Sequence, residues 1–188
     1  MSKMINNDLI EKIKKLPINL TEDSILEKLL DRRRWPKQYL HGQPSVEAIL
    51  DDGSKHQDFF NDDLYLWSEK CIECYEEGYT LILSSIGGIS KDVWIIQQLL
   101  NSWFGTNISL NFYLGNGKKS ISFEQHKHDY PVIIKNVYGE STWMINNEKK
   151  TLKDQDVIWF DKNVNHQVLE IQSPKLSLTC NIEVDKND

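Results

Sequence analysis

Residues 124–145, EQHKHDYPVIIKNVYGESTWMI, decide how the second half of this chain is read. They open on His126 and His128, one residue apart, and run into β-branched and aromatic segments interrupted by Tyr138-Gly139-Glu140. Such residues suit a pleated, half-buried surface, and a glycine among polar neighbours marks a turn. The pattern continues outward in both directions. Short runs occupy 108–113, 120–128, 132–138, 141–145, 157–160, 166–171 and 176–182, and turns such as Gly115-Asn116-Gly117 and Asn146-Asn147 separate most of them. Many short strands at this spacing predict a β-sandwich or small barrel.

The first half has a different period. Leu9, Ile10, Ile13 and Leu16 recur at helical spacing until Pro17. Thr21 is a predicted N-cap for a second helix carrying Ile25, Leu26, Leu29 and Leu30, with Arg32, Arg33 and Arg34 in its last turn. Ser45 is expected to cap a short helix through Ile49 and Leu50, closed by Asp51-Asp52-Gly53. Another helix is expected over 62–77, ended by Gly78, with Cys71 and Cys74 as packing residues because no second cysteine pair completes a zinc site. Residues 79–85 read as a buried strand, and Ser90 caps a strongly amphipathic helix that Gly105 stops. The expected organisation is a helical N-terminal region, 1–105, packed on a β-barrel, 106–188, as one integrated domain.

Composition bounds the function. The 188 residues carry 22 Lys+Arg against 28 Asp+Glu, a net charge of −6, which argues against nucleic acid as the main partner. No apolar run approaches the ~20 residues of a membrane span, and no secretory signal is evident. Three cysteines do not make a disulfide framework, so a reducing cytoplasm is the expected compartment.

The histidines carry the chemistry. On a strand, His126 and His128 project from the same face, and His166 opens a later strand from which it can complete a triangle. Three neutral imidazoles suit Fe(II), Zn(II), Ni(II) or Cu(II) and leave coordination positions open. Glu124 shares the parity of the pair and is a candidate fourth ligand. His41 and His56 lie in polar, loop-like segments and are expected at the surface. Trp143 and Trp159 read as core residues. Lys118 and Lys119 read as a solvated turn rather than an anion clamp.

These segments resemble the cupin motifs. His126-Lys127-His128 with Gly139 is similar to the first motif, and Asp156-Val157-Ile158-Trp159-Phe160 with His166 to the second. More specifically, 77–83, the helix ending at Gly105, Asn111-Phe112-Tyr113 and the step from His126 through Gly139 to Trp143 resemble the JmjC-type cupins, which are 2-oxoglutarate- and Fe(II)-dependent hydroxylases. The resemblance implies a double-stranded β-helix (cupin or jelly-roll) barrel, with Fe(II) at His126, His128 and His166. It also implies a co-substrate pocket lined by Asn111, Tyr113 and Ser141. Two positions depart from the family pattern: His128 replaces its aspartate, and Ser141 stands where relatives carry the Lys or Arg that pairs with 2-oxoglutarate. The implied activity is a metal-dependent oxygenase acting on a small molecule or a peptide or protein, with 2-oxoglutarate as the conditional co-substrate. A three-histidine dioxygenase or isomerase without 2-oxoglutarate, and a non-catalytic binding module, are the alternatives. Pairing of two copies through the N-terminal helices is also left open.

Overall fold

A computed structural model describes residues 5–38, 44–119, 122–172 and 174–183. His41 lies outside these residues. In chain order the elements are α1 (Asn7–Lys14), α2 (Glu22–Leu29), β1 (Val46–Ile49), β2 (Lys55–His56), α3 (Ser68–Glu76), β3 (Thr80–Leu83) and α4 (Lys91–Phe104). The barrel strands follow: β4 (Ser109–Gly115), β5 (Val132–Tyr138), β6 (Ser141–Ile145), β7 (Glu148–Leu152), β8 (Val157–Phe160), β9 (His166–Ile171) and β10 (Lys175–Asn181).

Local signals account for the helices. Asn6 accepts from the Leu9 amide, Thr21 forms a capping box with Ser24, and Ser90 accepts from the Val93 amide. Gly105 closes α4 at φ 75°, a left-handed conformation that glycine adopts without a Cβ clash.

The strands form a seven-stranded sheet in the order β2-β1-β3-β4-β10-β5-β8 and a three-stranded sheet in the order β7-β6-β9. An isolated antiparallel bridge between His126 and His166 adds the 126 segment beside β9. With that segment counted second, the barrel's eight chain passes fall four to each layer: first, eighth, third and sixth in one, second, seventh, fourth and fifth in the other. That order is the double-stranded β-helix, or jelly roll.

Two apolar regions hold the layers. The larger one lies on the outer face of the seven-stranded sheet. There Leu110, Phe112, Leu114, Leu176, Leu178 and Cys180 meet Leu9, Ile13, Ile25, Val93, Ile96 and Leu100 of the helices. The smaller lies inside the barrel and contains Val132, Ile134, Trp143, Ile145, Leu152 and Phe160. Lys135 shares the outer face with Ile133 and Val137, fully buried, and its Nζ approaches the carbonyls of Ile13 (3.4 Å) and Gln155 (3.5 Å). It sits against the carbonyl end of α1, where the helix dipole favours a cation, and points away from the histidines as alternation predicts.

Several expectations need correction. The segment expected as a helix after Ser45 is β1, which pairs with β3 from Val46↔Leu83 to Ile49↔Thr80. All four of its residues are buried, so it lacks the alternation that identifies a half-exposed strand. The helix expected over 62–77 starts only at Ser68, because Phe60 and Leu66 form a β-bridge first. Arg32–Arg34 form a separate 3-10 turn beyond α2, and Arg32 pairs with Glu69 at 2.6 Å. Of the strand expected over 120–128, the described residues 122–128 form only the bridge at His126, and β7 was not expected at all: four of its five residues are exposed and polar. Trp159 is 38% exposed rather than core. Because β1–β3 join the large sheet, the seven-stranded layer crosses the 105/106 boundary expected between helical and barrel regions.

Candidate metal centre

His126 and His128 come from the segment between β4 and β5, and His166 is the first residue of β9. Backbone pairing brings them together. The His126 amide donates to the His166 carbonyl (3.1 Å) and the His166 amide to the His126 carbonyl (2.9 Å). The Asn163 amide donates to the His128 carbonyl at 2.7 Å, pinning the third ligand's backbone to the loop before β9. One potential ligand atom from each imidazole then lies within 4.8 Å of those of the other two. The ring centres are 4.3 Å (126–166), 4.9 Å (126–128) and 5.1 Å (128–166) apart.

The surroundings prepare these rings as ligands. His126 Nδ1 lies 2.8 Å from the Glu124 carbonyl and His166 Nδ1 lies 3.0 Å from the Val164 carbonyl. A carbonyl can only accept, so each Nδ1 carries the proton and each Nε2 presents a lone pair. His166 is 4% exposed, and burial, with smaller contributions from His126 and His128, pushes its pKa down to about 4 despite the Val164 hydrogen bond. Burial, then His126, also lowers His128, partly opposed by Asp129. Neutral imidazoles bind a metal without first losing a proton. Phe160 packs on His166 at 4.3 Å, and Tyr130 stacks on His128 at 4.9 Å with ring planes 7° apart, so two of the three rings are braced by aromatic neighbours.

This donor set fits a borderline transition metal. Three nitrogens suit Fe(II), Zn(II), Ni(II) or Cu(II), whereas Mg²⁺ and Ca²⁺ require oxygen. Glu124, expected as a candidate fourth ligand, is exposed and stands outside the cluster; its main-chain carbonyl serves His126 instead.

The cluster borders a cleft of about 1420 Å³ inside the barrel. Asn111 and Tyr113 line it, and burial raises the Tyr113 phenol so that it stays protonated. Ser141 is placed differently. It is fully buried, accepts from the Trp143 indole at 3.1 Å, and is not part of the cleft lining. Lys118 and Lys119 lie away from the cleft: Lys118 Nζ donates to the Glu76 carbonyl, and Lys119 Nζ sits 3.9 Å from the Tyr79 ring centre. His56 is half-buried with its ring edge-on to Phe59. Cys71 is buried within α3, as a packing residue should be.

Two cleft residues escaped the sequence reading. Glu47 of β1 is buried and held by Lys55 (3.0 Å) and Gln57 (2.7 Å). Lys175 of β10 is also buried and lines the cleft. Lys175, Ser177 and Thr179 alternate with Leu176, Leu178 and Cys180, a pattern that reads equally well as an ordinary solvent-facing edge.

No protein-family model matches this chain, and no curated protein matches it significantly. Solved structures similar to part of it include DMSP lyases (14% identity, 44% of this chain, 42% of the other, TM-score 0.38). Others are the EutQ protein of Clostridium difficile (13%, 42% and 58%, TM-score 0.34) and a cupin protein of Bacteroides fragilis (17%, 47% and 77%, TM-score 0.38). The chain spans less than two-thirds of the first two. Its own strand order and histidine cluster define a jelly-roll barrel with a three-histidine candidate metal centre. Among the described residues, no helix is long and apolar enough to cross a membrane.

Proposed function

We propose that this protein is a metal-dependent oxygenase of the JmjC/cupin type, with Fe(II) held by His126, His128 and His166 and a small-molecule or peptide substrate bound in the barrel cleft. The observation that supports this reading is the convergence of three imidazoles, two with Nδ1 occupied by carbonyls, at the edge of a polar cleft. A bound iron would supply activation of dioxygen at a coordination position left open by the three nitrogens. The chain's own residues do the rest. The His126–His166 backbone bridge fixes two ligands relative to each other, which limits the reorganisation needed on binding. Val132 and Trp143 give the cleft an apolar wall, and Phe160 packs against His166, which limits water at the centre. Tyr113 as a neutral phenol and Asn111 as an amide offer hydrogen bonds that orient a polar substrate.

A second reading keeps the centre and removes oxygen: a three-histidine isomerase or another enzyme in which the metal acts as a Lewis acid. The uncharged donor set favours it, since no carboxylate in the cluster offsets the dication. Oxygen uptake by iron-loaded protein over a metabolite panel, with and without 2-oxoglutarate, separates the two. Uptake with succinate formation supports the 2-oxoglutarate-dependent form, and uptake alone supports direct oxygenation. Turnover that persists under strict anaerobiosis refutes the oxygenase reading.

A further inference from the structure

Of the six large apolar side chains most exposed among the described residues, Leu30, Leu64, Tyr65 and Trp67 are gathered in one place, whereas Trp94 and Trp159 stand apart on α4 and β8. None of the four lines the cleft. Three short passes of chain bring them together. The Leu66 amide donates to the Trp35 carbonyl (3.1 Å) and the Lys37 amide to the Leu64 carbonyl (2.8 Å), so residues 35–37 run beside 64–66. On the other side Phe60 bridges Leu66, and the Asn61 amide donates to the Tyr65 carbonyl (3.0 Å). Leu30 joins from the end of α2, because Ser68, next to Trp67, donates its hydroxyl to the Leu29 carbonyl at 2.7 Å. Lys70 Nζ lies over the Trp67 ring at 4.3 Å, and the ring is still 43% exposed.

Leu64 is out of keeping with its position. Its amide donates to the Asn61 carbonyl (2.9 Å) and the Tyr65 amide to Asn61 Oδ1 (3.2 Å), which closes a tight turn over 61–64. Leu64 ends that turn at φ 63°, the left-handed place that such hairpins give to glycine or asparagine. A leucine there strains the backbone, and at 56% exposure it also holds its side chain in water. What leucine offers at this position, and glycine does not, is an apolar contact for another surface.

The charges on either side say what that surface is. Residues 30–37 (LDRRRWPK) carry four basic groups and one acid, a net +3, and residues 58–63 (DFFNDD) carry three acids, a net −3. The pass 64–67 runs between them, so an apolar strip has one basic and one acidic edge. Arg32 is paired with Glu69 of its own chain, and Arg33 and Lys37 supply charge that the basic edge offers a partner. We propose that this strip is the contact through which two copies of the chain pair about a two-fold axis. Rotation by 180° about an axis along the strip lays apolar strip on apolar strip, and the basic edge of each copy over the acidic edge of the other. Glu69 and Lys70 cancel, so the whole surface is neutral, as self-association of a chain with net charge −6 requires. A membrane or a nucleic acid would instead be repelled by Asp62 and Asp63 beside the exposed leucine. Four side chains about half exposed present roughly 350 Å² of apolar surface, whereas a specific interface takes about 800 Å² from each partner. Both charged edges must therefore take part, and the pair is a weak one, with a dissociation constant of about 10–100 µM. The surface includes none of the histidine centre, so the inference does not rest on the proposed function.

The test is sedimentation velocity of the full chain at low salt, from about 2 to about 300 µM. The weight-average mass should rise from 22.0 kDa toward twice that value, and less so at high salt, which screens the charged edges. Leu64→Gly suits the left-handed turn and removes only the side chain. It should weaken pairing at least about fivefold while its urea midpoint stays level or rises. Two double variants reverse one edge each: Arg33→Glu with Lys37→Glu, and Asp62→Lys with Asp63→Lys. Each should lose self-pairing, and an equimolar mixture should pair again, because every reversed edge then meets its complement. Both variants keep a negative net charge, so general attraction does not account for that rescue. A wild-type chain that stays monomeric at the highest concentration overturns the proposal and leaves the strip to a partner of another kind. So does a dimer that Leu64→Gly leaves equally tight, or a mixture of folded charge variants that remains monomeric. If the charge variants misfold, Leu64→Gly alone decides.

Discussion

Replacing Lys175 by methionine should make the stability difference between variant and wild type depend on pH in one direction. The group's pKa falls from 10.5 to about 7 on burial, and no other cause contributes. Between those values the unfolded chain holds a proton that the folded protein has released, so wild-type stability rises with pH across this window. Below pH 7 the full cost of burying the ammonium is present, and it fades as pH approaches 10.5. At roughly 1.4 kcal/mol per pH unit, the lysine costs about 4 kcal/mol at pH 7 and about 2 kcal/mol at pH 9. Lys175→Met has a side chain of similar length and nothing to titrate. Its advantage over wild type should therefore shrink by about 2 kcal/mol between pH 7 and 9, whatever constant packing difference the substitution brings. Urea unfolding of both proteins at pH 7, 8 and 9, without ligand or metal, measures it, and the other titrating groups cancel in the difference. A stability difference that stays flat over these pH values would refute the assignment of Lys175 as a buried, unpaired amine.

Other outcomes follow from separate parts of the structure. Gly139 has φ 82°, and a Cβ there would stand 2.2 Å from the Pro174 carbonyl oxygen and 2.8 Å from Lys175 Cα, both backbone atoms. Gly139→Ala should therefore cost about 3 kcal/mol or more, read from the denaturant midpoint, because strain and displacement of β10 add. His166 is buried with its pKa pushed down to about 4, so metal-free protein should lose stability as pH falls from 6.5 toward 4. A thermal midpoint that falls equally in wild type and His166→Leu over that range would contradict this. His166→Ala should lower bound metal, measured by elemental analysis, to background while the far-ultraviolet circular dichroism stays unchanged. Thr21→Ala removes the capping box of α2 and should cost about 1 kcal/mol in urea while leaving metal uptake at wild-type level.

The sequence by itself determined what neighbours along the chain decide. The limits of β5, β6, β8 and β9 coincide with the runs read at 132–138, 141–145, 157–160 and 166–171, because turn residues bound each run and side chains alternate with period two. The caps at Thr21, Ser90 and Gly105 were legible for the same reason: each is a contact or conformation within four residues. The histidine triangle was legible in part, since one turned pair and one strand start suffice to suggest it. Tertiary structure decided which face of each strand is the inside. Along β10 the apolar face, Leu176, Leu178 and Cys180, packs outward beneath the helices, and the polar face, Lys175, Ser177 and Thr179, lines the cleft. Alternation separates two faces but does not say what covers either. That choice is made by β10 pairing with β4 and β5 and by the helices that precede β4 in the chain, and it turns a lysine with the pattern of a surface residue into a buried part of the cleft lining.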